Sequence, residues 1–410
     1  MLQGVSTRQL PLLPEAELLV WCTRTDITDE LKQRIRKRVQ ESINWSMVLD
    51  MAEYHGVVPL LYKSLSTVMP DLVPARVLST LRQKAQVGSL LNQSLAKDLV
   101  DLCEAFEVRG VPVIPIKGAT LAVLAYGDLA LRDFTDLDLL IPKQALSEAR
   151  TIILSQGYER KTTNGESRES HTHEGPYHVF VKKRPISRVD LQWVMAHQHF
   201  AFWLDRPEFW RSRRPVMLKD KPVPGLSSEM LLIVLCVHGS KHSWELLKWV
   251  CDVAELLRSQ PNLDWDQIVS CASNWRCQRM LYMGLSLAHR LLDAPLPEGV
   301  LTNLKHETEV QALSHRMPAS LLENYHEGIS EEQAGVLYFA LKDSWRERWW
   351  LGVLLCRAHS QLALTPPAWF RWRTSLSRLA RLIVPAHRAL TRLLSPTIRH
   401  TIHRWVTHGI

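Results

Sequence analysis

The residues with the clearest chemical potential are Asp136 and Asp138, set one residue apart in the apolar run LRDFTDLDLLIPK, residues 131–143. An unpartnered carboxylate on a buried strand is costly, so the pair needs a partner. One answer is structural, a salt bridge from Arg132; the other is a metal site. Residues two apart on a strand share a face, so Asp136 and Asp138 project together while Leu137, Leu139 and Ile141 turn to the buried side. Two such carboxylates repel each other unless a cation lies between them. Oxygen ligands with open positions suit Mg2+ or Mn2+, which keep sites for water and phosphate oxygens. A third acid follows in RVDLQW, where Val189, Leu191 and Trp193 share one face and Arg188, Asp190 and Gln192 the other. If the two strands are neighbours, Asp190 joins the pair, and three carboxylates hold two metal ions for in-line attack on phosphorus. Upstream, Ile116, Lys117 and Gly118 form a strand-to-helix turn. It offers what a triphosphate needs: helix N-terminal amides, a glycine for close approach and a lysine for charge. Arg132 and Arg188 flank the acids, each as a phosphate ligand or as a charge partner.

These residues need a scaffold, and the periodicity divides the chain into four zones. Residues 1–90 read as helical, with apolar spacings of three and four and a helix junction at Gly56 and Pro59. Residues 91–225 are expected to form an α+β core with a small mixed or antiparallel sheet. There a helix ends at Arg109-Gly110, VPVIPI reads as a buried strand, and ATLAVLAY as a short helix. The acidic strand comes next, then the helix KQALSEARTIILSQG, closed by Gly157. YHVFVKK and SRVDLQWV bracket a turn at Lys183 to Pro185 and predict an antiparallel hairpin. Residues 226–365 revert to helices, starting at a cap on Ser227 with Glu229 in the first turn. Residues 366–410 form a basic tail.

Composition narrows the function classes. A chain of 410 residues that is 46% apolar can bury a large core. Its seven cysteines include no C-x-x-C pair, which argues against a disulfide framework and a zinc ribbon and points to a reducing cytoplasm. The first residues lack a basic segment followed by a long apolar one, and WWLGVLLC stops at Arg357, too short for a membrane span. From Pro366 onward there are eight arginines and no acid, which accounts for the whole formal excess of +8. With Trp369, Phe370, Trp372 and Trp405 between them, they offer a surface for nucleic acid or an anionic membrane, or else the solvated faces of an amphipathic helix pair. His238 and His242, one helical turn apart, share a face and are candidate metal ligands with Asp252, or substrate-binding residues together with Lys248. His171, His173 and His178 read as a loop at the rim of the cleft.

The ordered set IPIKGATLAVLAY, LRDFTDLDLL and RVDLQW resembles the nucleotidyltransferase superfamily related to DNA polymerase beta. More narrowly it resembles bacterial nucleotidyltransferases marked by an LKG turn, an R...DIDLLV strand and a DLHW strand. HGVVPLLYKSL, from His55, and HGSKHSWELLKWVCDVAELL, from His238, are similar to that family's flanking pieces. The resemblance implies a polymerase beta-like core between helical regions. Asp136, Asp138 and Asp190 would bind metal, Asp190 doubling as a candidate base, and Lys117, Gly118 and Arg132 would meet the phosphates. The chain departs from the pattern in its Lys117-Gly118-Ala119 turn, which has no serine, and in Gln192, where histidine is common. The implied activity is Mg2+- or Mn2+-dependent transfer of a nucleoside monophosphate from an NTP to a hydroxyl or phosphate of a small-molecule, peptide or protein acceptor. The alternative is an inactive binding module whose tail docks on nucleic acid or a protein.

Overall fold

The computed structural model describes residues 12–161, 177–194, 207–323, 325–328, 331–345 and 348. The basic tail and the segment holding His171 and His173 lie outside the described residues.

The described residues begin with four helices: α1 (Pro14–Cys22), α2 (Asp29–Val39), α3 (Trp45–Tyr54) and α4 (Val58–Val68). Side-chain caps start two of them, Thr28 accepting from the Leu31 amide and Asn44 from that of Met47. The long helix α5 (Ala75–Val108) then runs unbroken through residue 90, where the sequence pattern changes character. The sheet region follows, with β1 (Ile114–Pro115), α6 (Ala119–Tyr126), β2 (Leu137–Leu140), α7 (Leu146–Ser155), β3 (Glu159–Arg160), β4 (Tyr177–Lys183) and β5 (Ile186–Gln192). The strand order is β1-β2-β5-β4-β3, with β2 and β5 parallel and the other neighbours antiparallel. This is the small mixed sheet of an α+β fold, and β4 and β5 form the expected hairpin. After the short helix α8 (Pro207–Arg211), β6 (Arg213–Leu218) and β7 (Lys221–Leu226) pair as a separate ribbon.

The remaining described elements are helical: α9 (Ser228–Lys241), α10 (Leu247–Ser259), α11 (Trp265–Asn274), α12 (Gln278–Leu292), α13 (Glu298–His306), α14 (Thr308–Glu323) and α15 (Glu331–Ala340). Ser227 caps α9 through the Met230 amide, with Glu229 in the first turn. No helix among the described residues is long and apolar enough to cross a membrane.

Two apolar clusters organise these elements. One lies beneath the sheet, where Leu137, Leu139, Val189, Leu191 and Phe180 pack with Leu99 and Phe106 of α5 and Ile152 and Ile153 of α7. The other joins the first four helices to α9, α10 and α12 in a single core that also takes in Ile114, Ile116, Leu121 and Leu140. Its centre is Trp244, fully buried against Gly239 and Gly284, where an added Cβ would lie 2.5 and 2.9 Å from the indole. Polar ties cross the same seam. Arg24 pairs with Asp293 at 3.2 Å, Thr25 hydrogen-bonds Glu255, and the Cys251 thiol points at the Thr23 carbonyl. The helices flanking the sheet region in sequence are therefore one body in space. The polar edge of β2 and β5 lies where that body meets the sheet.

Candidate active site

The parallel register of β2 and β5 sets Asp138 directly beside Asp190. Alternation does the rest: Ser187, Val189 and Leu191 are buried, while Arg188, Asp190 and Gln192 face the other way. Asp136 stands one residue before β2, half-buried, so the segment bearing the two acids becomes a strand only from Leu137.

Asp138 is 10% exposed and both its oxygens are engaged. Oδ1 accepts from Gln192 Nε2 at 2.6 Å, and Oδ2 from Lys117 Nζ at 2.8 Å. Burial works to raise this carboxyl, but the Lys117 charge and hydrogen bond outweigh it and hold the group below the usual range. Asp136 is pushed the other way, by burial first and then by the negative charges of Asp138 and Asp190. Arg188 Nε and Nη2 each donate to an Asp190 oxygen at 2.7 Å.

Lys117 reaches Asp138 because β1 pairs with β2 and the Ile116 amide donates to the Asp138 carbonyl at 3.0 Å. The chain then turns at Gly118, with φ +64° and ψ −126°, a conformation open to glycine and strained for other residues. A Cβ there would sit 3.6 Å from the Asp136 carbonyl oxygen, so the turn lies against the acids. The next residue opens α6, and Thr120 Oγ1 returns a hydrogen bond to the Lys117 carbonyl at 3.0 Å. The first-turn amides of α6 and the Lys117 side chain are thus neighbouring donors of the kind that suits an anion.

Helix α9 closes the site from the helical body. The two ring nitrogens of His238 lie 3.3 and 3.4 Å from Lys117 Nζ. Burial, then the Lys117 charge, drives the His238 pKa far below its ordinary value, so the ring is neutral. His242 lies one turn on, its ring tilted against that of His238 with centres 4.6 Å apart, and Trp249 of α10 completes the cluster at 5.5 and 5.1 Å. Lys241, three residues after His238, lies close enough to Asp138 to lower its carboxyl pKa; its own pKa is lowered by burial and by Lys117. Lys248 sits against Gly56, where a Cβ would come within 2.9 Å of its Cδ, and its pKa is lowered by burial and Arg132.

The structure thus brings together Asp136, Asp138, Asp190, Lys117, Gly118 and His238, with His242 and Lys248 at their edge. It corrects three expectations. Arg132, expected at the phosphates or beside the aspartates, is buried and donates from Nε and Nη2 to both oxygens of Asp252, at 2.7 and 2.8 Å. Asp252, the third member of the alternative metal site with His238 and His242, is engaged by that pair and by Tyr126, whose hydroxyl donates to Oδ1 at 2.8 Å. His178 is no loop residue: it is buried in β4, with Arg150 Nε 3.1 Å from its Nδ1. Lys241 and Trp249 escaped sequence reasoning. The i to i+3 spacing from His238 was the one local signal for Lys241.

Among the described residues no three His, Cys, Asp or Glu side chains converge as a ready-made set of metal ligands. The donor chemistry nonetheless fits a hard divalent ion. Asp136, Asp138 and Asp190 offer only oxygen donors and stand close together, and the carboxyl of Asp136 is raised by burial first and by its acidic neighbours second.

No curated protein matches this chain. Among solved structures it is similar to ANT(2")-Ia in complex with adenylyl-2"-tobramycin, at 13% identity and a TM-score of 0.33, over 45% of this chain and 97% of that one. It is also similar to an antigenic nucleotidyltransferase-like protein from Paracoccidioides brasiliensis, at 16% identity and a TM-score of 0.33, over 51% of this chain and 97% of the other. The family described as uncharacterised nucleotidyltransferase matches residues 41–293, which hold the acids, the Lys117-Gly118 turn and α9, and this chain belongs to that family.

Proposed function

We propose that the protein transfers a nucleoside monophosphate from an NTP to a hydroxyl or phosphate acceptor, with Mg2+ or Mn2+ held by Asp136, Asp138 and Asp190. The observation that carries this reading is the parallel pairing that sets Asp138 beside Asp190, one strand from the Lys117-Gly118 turn. When bound, the divalent ions would neutralise charge on the phosphates and lower the pKa of the attacking hydroxyl.

The chain's own residues bind, orient and accept a proton. The first-turn amides of α6 and the Lys117 ammonium meet the anionic tail of the nucleotide. Gly118 lets the phosphates approach the backbone where a side chain would stand. The acceptor oxygen forms a bond to the α-phosphorus as the bridging bond to the β-phosphate breaks, and pyrophosphate leaves with that electron pair. A hydroxyl acceptor gives its proton to a carboxylate, for which Asp190 is the candidate. Neutral His238 and the neighbouring His242, Trp249, Lys241 and Lys248 stand on the helical side of the acids, where a small molecule, a peptide or a protein side chain would meet them. Cytoplasmic residence belongs to the same reading, supported by the six cysteines among the described residues, which all stand as thiols.

Calorimetry of NTP binding with and without Mg2+ tests the proposal. Wild type is expected to bind in the presence of the metal. The Asp136→Asn/Asp138→Asn variant is expected to lose metal-dependent binding while keeping its circular dichroism spectrum. Equal binding by the two proteins would sink the reading.

A further inference from the structure

Two of the three carboxylates have both oxygens taken by donors from this same chain. Asp138 is held by Gln192 and Lys117, and Asp190 by the two nitrogens of Arg188. We infer that Lys117 and Arg188 are resident counter-ions that keep the acid cluster closed to a divalent cation until a polyanionic ligand draws them away, so that metal and nucleotide bind as a coupled pair. The inference rests on the nucleotidyltransferase reading above.

An oxygen that accepts an ammonium proton at 2.8 Å has no room in that direction for a metal ion at ~2.1 Å. A divalent ion arriving alone would also face Lys117 and Lys241, both close enough to act on Asp138. Those like charges oppose its entry. The two counter-ions differ in what holds them. Arg188 is 49% exposed and can swing into solvent at little cost. Lys117 is 14% exposed, and its nearest other polar neighbour is the neutral ring of His238, so it leaves Asp138 readily only for another anion. The triphosphate at the α6 corner is that anion. Its arrival removes the lysine from Asp138 and restores the need for a cation there, which is a free-energy coupling between the two ligands.

Titration of the full chain with Mn2+ alone, read by the electron paramagnetic resonance of the free ion, isolates this coupling from catalysis. Wild type is expected to bind Mn2+ weakly without nucleotide. Lys117→Met is expected to bind it more tightly by about tenfold, and Arg188→Gln by about threefold, because its half-exposed pair costs less to break. Because Lys117→Met strands a buried carboxylate, Arg188→Gln carries the test if the first variant does not fold. Unchanged or weaker Mn2+ binding in the folded variants, with binding abolished by Asp138→Asn, would overturn the counter-ion role and leave the metal site standing. Mn2+ binding indifferent to Asp138→Asn would overturn the metal site, and the inference with it.

Discussion

At the scale of single residues, burial decides which groups carry charge. Asp138 stays ionised because Lys117 lies against it, and His238 stays neutral because it is buried beside the same lysine. His55 shows the cost of such choices for stability. It is fully buried between Tyr54 and Tyr325, with ring centres 5.1 and 5.7 Å away. Its Nδ1 accepts from the Leu247 amide at 3.3 Å, its Nε2 has no partner among the described residues, and burial lowers its pKa to about 4. In the unfolded chain this histidine takes a proton as pH falls below ~6.5, whereas the folded chain resists until near 4. The unfolded state therefore binds more protons in that window, and stability drains away as pH falls through it, by on the order of 3 kcal/mol in total. Urea midpoints at pH 7 and pH 4.5 should differ more in wild type than in His55→Asn, whose side-chain oxygen keeps an acceptor for Leu247. Equal differences would mean that His55 titrates normally in the folded chain.

At the scale of elements, the turn into α6 concentrates the backbone demands of the site. Gly118 and Gly127 bracket the helix and both have positive φ, but they serve different ends. Gly127 is an ordinary left-handed helix stop where an added Cβ would meet nothing within 4 Å, whereas Gly118 lies against Asp136 and Phe134. Gly118→Ala forces a strained conformation worth ~1–3 kcal/mol and displaces the corner that Lys117 occupies. It should lower the melting temperature and also weaken metal-dependent NTP binding. Gly127→Ala should cost about 1 kcal/mol and leave binding intact. Equal binding by the two variants would remove the turn from the site. Helix α5 plays a supporting part. Asn92 Nδ2 donates to the Leu129 and Arg132 carbonyls at 2.7 and 2.9 Å, and at Gly88 a Cβ would sit 2.8 Å from Asp133 Oδ1. The segment leading to Asp136 is thereby fastened to the long helix.

At the scale of the whole molecule, the acids are held in place by the helical body as much as by the sheet. Arg132, four residues before Asp136, is clamped to Asp252 on α10, and Tyr126 closes the same network. The pair is almost fully buried, so removing one partner strands the other charge. Asp252→Asn should destabilise the protein by ~3–5 kcal/mol. The double variant Arg132→Met/Asp252→Leu should recover most of that loss in denaturant titrations. A double variant as unstable as the single one would show that the pair contributes packing or geometry beyond its charges.

Some of this organisation is local and could be read along the chain. The hairpin of β4 and β5, helix α6, the Ser227 cap and the common face of Arg188, Asp190 and Gln192 follow from period-two alternation, glycine stops and capping chemistry, which act within a few residues. The nucleotidyltransferase resemblance rests on the same short, ordered pieces. Other features depend on distant partners. Arg132 stands beside the aspartates in sequence, yet a buried guanidinium goes to the carboxylate that desolvation leaves most in need of it, 120 residues away. His178 sits at the end of a histidine-rich stretch, yet strand pairing draws it into the sheet. Helices before and after the sheet look like separate zones because apolar periodicity reports which face is buried and carries no information about what covers it. The sequence by itself determined the chemical groups and the elements that carry them. Only the tertiary structure decided which charges neutralise one another, because burial and partner choice are set by contacts between segments far apart in the chain.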